Sequence, residues 1–130
     1  MAFRTFSEVF ENSSFWYVRG HGLFVASLDE FQINYPQIVK RMNSPIVAKD
    51  LDSIDIHDEK DFLAHMLMGP SQIKAYLENL EDTTINTDNN AYLEYQTPSE
   101  FMEKTKDIVE GLLPWAGIDP YIIQNISDED

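Results

Sequence analysis

Ser14-Phe15-Trp16-Tyr17-Val18-Arg19-Gly20-His21-Gly22-Leu23-Phe24-Val25-Ala26-Ser27-Leu28 is the stretch on which the fold turns. Residues 14–18 are rich in aromatic and β-branched side chains, which suit a pleated surface. Residues 23–28 form a second apolar run. Between them Gly20-His21-Gly22 holds two residues free to take positive φ, so the stretch predicts an antiparallel hairpin. A strand with one wet face alternates, but Phe15 to Val18 and Leu23 to Ala26 are nearly continuous in apolar residues. Both faces of the hairpin therefore want covering.

Outward from the hairpin the chain reads as short helices. Phe3, Phe6, Val9 and Phe10 recur at helical spacing, which predicts a helix over 3–11, stopped by Asn12-Ser13-Ser14. Pro36 suits a first helical turn, with Ile38, Val39 and Met42 behind it, and Ser44-Pro45 starts another helix through Leu51. Asp58 can cap a helix running to Met68, with Phe62, Leu63, Met66 and Leu67 on its apolar face. Gly69 then closes that helix and Pro70 opens the next, striped by Ile73, Tyr76, Leu77 and Leu80. Residues 81–90 read as a polar loop and 91–95 as a short strand. Thr97-Pro98-Ser99-Glu100 is a capping box for a helix carrying Phe101, Ile108, Leu112 and Leu113, limited by Pro114. The expectation is an α+β fold: a small antiparallel sheet, the 14–18/23–28 hairpin plus 91–95, covered by several short helices. Residues 1–130 form a single domain, with C-terminal helices over 99–126 and an acidic tail at 127–130.

The chain has 130 residues, enough to bury about two-thirds of the unfolded surface in one domain. Nine Lys and Arg against 23 Asp and Glu give a formal charge of −14. Nucleic-acid binding rests on cationic neutralisation of phosphates, and anionic membranes attract polybasic segments, so neither partner is expected. The charge leaves cations, basic partners or simple solubility open. Without cysteine there are no disulfides, thiolate metal sites or cysteine nucleophiles. No apolar stretch reaches the length of a membrane span, and residues 1–4 lack the basic start and apolar block of a signal peptide. A soluble, cytoplasmic domain is the expectation.

The densest polar cluster is Asn86-Thr87-Asp88-Asn89-Asn90. Its ordinary role is an Asx-turn network; its functional role would be a ligand loop of Asn86, Thr87, Asp88 and Asn89 with Glu94 as a further acceptor. Arg4 is the one basic residue of the first helix and Glu94 the one acid of 91–95. A half-buried charge needs a partner, so Arg4 is expected to pair with Glu94 or Asp88, as a structural tie. His57, Asp61 and His65 stand at i, i+4 and i+8 and could share one helix face as a metal site. Against this, Asp58, Glu59 and Lys60 mark a solvated acidic face, and His57 precedes the helix. His21 reads as a turn residue, and Trp16, Tyr17 and Trp115 as packing. There is no G-x-S-x-G elbow and no P-loop.

Two segments carry a family resemblance. The first is Phe3-Arg4-Thr5-Phe6-Ser7-Glu8-Val9-Phe10, followed by Phe15-Trp16-Tyr17-Val18 and Gly22-Leu23-Phe24-Val25-Ala26-Ser27; the second is residues 85–95, Ile-Asn-Thr-Asp-Asn-Asn-Ala-Tyr-Leu-Glu-Tyr, with Pro98 after it. In that order they resemble the C-terminal region of spermidine synthase-like proteins, relatives of the aminopropyltransferases, over roughly 3–98. There an R-T-F-x-x-V-F helix leads into the last two strands of a class I methyltransferase-like sheet. A helical segment and an N-T-D-D-x-P-x-L-E-[YF] motif follow. Asn89 stands where the second Asp is usual, and Ala91 where Pro is usual.

The resemblance implies a doubly wound domain that binds S-adenosylmethionine or its decarboxylated form. Such a cradle needs a Gly-rich turn between a strand and a helix. The five glycines, at 20, 22, 69, 111 and 117, make no strand–G-x-G–helix unit. The chain thus looks like the last part of such a domain, with no catalytic residues and no cofactor of its own. The leading expectation is a non-catalytic C-terminal module for oligomerisation or for shaping a polyamine site, with two copies covering each other's hairpins or first helices as a homodimer. A free-standing acidic module for cationic partners and a metal-dependent hydrolase are the alternatives.

Overall fold

The structure, a computed structural model, describes residues 2–81, 85, 87, 109–119 and 122–125. Helix α1 (Ala2–Val9) leads into strands β1 (Asn12–Val18) and β2 (His21–Ser27). Strand β3 (Ile33–Asn34) precedes helices α2 (Tyr35–Met42), α3 (Pro45–Asp52) and α4 (Glu59–Ala64). Strand β4 (Met66–Met68), helix α5 (Pro70–Glu78), a 3-10 turn at Leu113–Trp115 and strand β5 (Ile123–Gln124) follow. The architecture is α+β, with a three-stranded antiparallel sheet in the order β2-β1-β4. A second pair, β3 with β5, is parallel.

The hairpin forms, with a shifted turn. The two turn residues are Arg19 at φ 48° and Gly20 at φ 86°. Positive φ at both is the type I′ turn, whose twist matches that of the flanking strands. His21 and Gly22 therefore belong to β2, where Gly22 faces Tyr17. Strand β1 also starts earlier than expected. Ser13 and Ser14 do not stop a helix; they are buried strand residues.

The third strand is a correction. The sequence pattern places Met66-Leu67-Met68 at the end of the helix capped by Asp58, on its apolar stripe. The cap forms, with Asp58 Oδ1 accepting from Asp61 N at 2.7 Å, but α4 ends at Ala64. The chain then extends along β1, with Tyr17 N donating to His65 O at 2.9 Å. Stripe residues serve a helix or a strand equally well; the open edge of β1 decides between them. Gly69 consequently is not a helix stop but the residue before α5, and its N–H donates to Gly117 O at 3.1 Å. The expected strand 91–95 and the capping box at 97–100 lie outside the described residues, as does the acidic tail.

Both faces of β1 are covered. Trp16 packs with Phe31, Ile33, Tyr35, Leu63, Met66 and Ile122; Phe15 packs with Met68, Ile73 and Leu112. A register shift between Phe15 and Trp16 in the β1–β4 pairing lets Met66 join one side and Met68 the other. The expectation of full cover fails for β2, where Leu23 and Val25 remain 49% and 45% exposed. The helix starts follow the sequence: Asn34 Oδ1 accepts from Gln37 N, and Pro36, Pro45 and Pro70 stand in first turns. Among the described residues no helix is long and apolar enough to cross a membrane.

Candidate functional site

Helix α1 is seated by aromatic rings. Phe3 lies between Phe15 at 4.7 Å, Phe24 at 4.8 Å and Tyr76 at 5.3 Å, and Phe6 stacks on Phe24 at 4.7 Å. Offset and edge-on pairs at these distances add about 0.5–1.5 kcal/mol each beyond area burial. Burial against this cluster raises the Tyr76 hydroxyl pKa above its ordinary value of 10.0, because the phenolate would lose solvation. With its apolar stripe held, α1 turns Arg4 and Ser7 toward α5, and a cleft of about 540 Å³ opens between the two helices.

Arg4, Ser7 and Glu11 border the cleft on one side; Ser71, Lys74 and Glu78 border it on the other, with Ile73 and Leu77 in its apolar wall. Arg4 Nη2 donates to Leu77 O at 3.0 Å. That carbonyl lies in the last turn of α5, where the helix dipole favours a cation. Arg4 thus ties α1 to α5. The residues expected as its partners, Asp88 and Glu94, lie outside the described residues. Ser7 Oγ is shielded from solvent and has no hydrogen-bond partner among the described residues. Among the described residues the rim carries two cations, Arg4 and Lys74, and two carboxylates, Glu11 and Glu78. The sequence reading named only Arg4 here. The i, i+3, i+7 spacing of Arg4, Ser7 and Glu11, each one position after Phe3, Phe6 and Phe10, was the available signal.

The other candidate residues fall apart in space. Of Asn86, Thr87, Asp88, Asn89 and Glu94, Thr87 alone is described, and it is exposed. His57, Asp61 and His65 do not share a helix face, since α4 spans only six residues between the two histidines. His57 Nδ1 is 2.7 Å from Asp52 Oδ1, and His57 N donates to Asp61 Oδ2 at 3.3 Å. His65 Nδ1 is 2.6 Å from Asp61 O, a contact that requires the Nδ1–H tautomer. Each group serves a local turn, and among the described residues no three His, Asp or Glu side chains converge. His21 is a strand residue, exposed beside the turn.

The turn at Gly69 forms no phosphate cradle. Among the described residues Gly69 is the glycine that joins a strand to a helix, between β4 and α5. Its N–H is used by Gly117, Pro70 has none to offer, and a Cβ at Gly69 would meet Gln72 Oε1 at 3.0 Å. A phosphate cradle needs successive free amides at a helix N-terminus. Comparison of the chain with family models, with curated proteins and with solved structures finds no match.

Proposed function

We propose that the chain is a C-terminal, non-catalytic module of a spermidine synthase-like protein that acts in the cytoplasm, where it supports oligomerisation or shapes a polyamine site. The observation that carries this reading is the order α1–β1–β2 over residues 2–27. A helix bearing Arg4, Thr5, Phe6, Val9 and Phe10 enters an antiparallel strand pair, as the resemblance implies. Strand β2 is the outer strand of the sheet among the described residues. S-adenosylmethionine or its decarboxylated form would belong to another part of such a protein.

An immunoblot of a lysate from the source cells tests the reading. A product much longer than 15.0 kDa is expected. A product of that size alone overturns it.

The charge of −14 favours a second reading, a free-standing acidic module for cationic partners, polyamines included. Equilibrium dialysis with diamines, triamines and tetramines separates the two. Simple electrostatics gives binding that falls steeply with salt and ignores chain length. A shaped site gives binding that resists salt and selects a length.

A further inference from the structure

Strand β2 is seven residues long and, among the described residues, is paired on one side only. The opposite side of the sheet is closed: beyond β4, Gly117 N donates to Leu67 O at 2.9 Å and Gly69 N to Gly117 O at 3.1 Å. The two-residue turn makes Val18 and His21 a hydrogen-bonded pair, so the alternation of the ladder aims the N–H and C=O of residues 21, 23, 25 and 27 at β1. Val25 O conforms, since it also accepts from Ser14 Oγ at 3.1 Å. Gly22, Phe24 and Ala26 point theirs outward. Among the described residues nothing hydrogen-bonds to them.

Natural edges are usually guarded by charge, proline or bulges. Residues 21–27 contain no Asp, Glu, Lys, Arg or Pro, in a chain of net charge −14. Beside the open edge, Leu23 and Val25 project from one face, 49% and 45% exposed.

We propose that β2 pairs edge to edge and antiparallel with β2 of a second copy, about a two-fold axis at Phe24. This register makes Phe24 face Phe24 and Gly22 face Ala26 as hydrogen-bonded pairs, using every outward N–H and C=O of the strand's centre. It sets Leu23 opposite Val25 of the second copy, twice, as close non-hydrogen-bonded pairs. The alternatives fit less well: a shift of one residue would aim paired groups away from each other. Charge selects the same place. Two chains of −14 repel, and β2 is a seven-residue segment where apposition sets no carboxylates face to face. On the other face, Phe24 lies under Phe6 and Phe3 of α1, so the two α1 helices flank the seam. The pairing specifies the oligomerisation half of the function proposed above, and the length of the native polypeptide bears on neither arm of its test.

Sedimentation velocity of the purified chain across a wide concentration range is the test, with hydrogen exchange at the strand. The expected result is a species of twice 15.0 kDa that strengthens with salt, with the Gly22, Phe24 and Ala26 amides protected only in concentrated samples. Val25→Lys places a charge opposite Leu23 of the second copy; Ala26→Pro removes an outward N–H and leaves the β1 ladder intact. Both variants should be monomeric with the far-UV spectrum of the parent, and either one suffices if the other fails to fold. A parent that stays monomeric overturns the proposal, as does a dimer that persists in a folded variant or leaves those three amides unprotected.

Discussion

The ring of Phe15 occupies the space where a side chain at Gly22 would stand: a Cβ there would lie 2.7 Å from Phe15 Cζ and 2.8 Å from Cε2. Alanine is ordinarily the better strand residue, because glycine loses more backbone freedom on folding. Here the close approach reverses the sign. Phe15 is 7% exposed and wedged between Phe3 and Phe24, so its ring has little room to yield. Gly22→Ala should destabilise the chain by about 1–3 kcal/mol in urea unfolding. A neutral or stabilising result would show that the ring moves freely.

The turn next to it carries the opposite opportunity. Arg19 holds φ 48° with a side chain that suits that region poorly, whereas Asn-Gly is the favoured type I′ pair. What Arg19 gains in return is small. Its guanidinium reaches Asp55 at 3.7 Å and Ser53 O at 3.4 Å, in a pair exposed by more than half on both sides. Exposed pairs contribute about 0–1 kcal/mol. Arg19→Asn should therefore leave stability level or raise it by about 0.5–1 kcal/mol, read as a higher urea midpoint at constant slope.

Ser14 is fully buried in β1, where its Oγ accepts from Trp16 Nε1 at 2.8 Å and donates to Val25 O at 3.1 Å. Ser14→Ala leaves the indole N–H without its partner in a core. That should cost about 1–3 kcal/mol, although the substitution removes only one oxygen. Thermal unfolding followed by tryptophan fluorescence reads it. Ser14→Thr keeps the hydroxyl and adds a methyl, so a smaller loss would assign the effect to the hydrogen bond.

Tyr76 gives an alkaline signature. Burial raises its pKa above 10.0 in the folded chain, whereas the unfolded chain ionises at the ordinary value. The folded state binds the proton more tightly, so the contribution is complete below pH 10 and is lost as pH rises through the folded pKa. Phenolate absorbance should show a Tyr76 step that titrates above the ordinary value. In Tyr76→Phe that late step disappears, and the fall in stability above pH 10 becomes shallower.

Local signals were legible wherever one turn of chain decides its own conformation. The Asp58 cap and the starts at Pro36, Pro45 and Pro70 are such cases, because the missing N–H and the capping carboxylate act within four residues. The aromatic stripe of α1 was legible too. The α1–α5 cleft was not: Arg4 and Leu77 lie 73 positions apart, and Arg4 meets there a backbone carbonyl, which no residue name announces.

What the sequence determined by itself is the α+β class, the hairpin and the sites where helices begin. Their causes are near in the chain: apolar runs, a Gly-containing turn, prolines and a capping Asp. What only the tertiary structure decided is which apolar segments complete the sheet. Met66-Leu67-Met68 became a strand rather than a helix end because β1 offered an unpaired edge and two apolar faces. Ile33 met Ile123 in a parallel pair across 90 positions. Gly22 has no room for a side chain because the ring of Phe15 fills the space above it. In each case the backbone of one segment satisfies the hydrogen bonds or the packing of another, and that demand is written in neither segment alone.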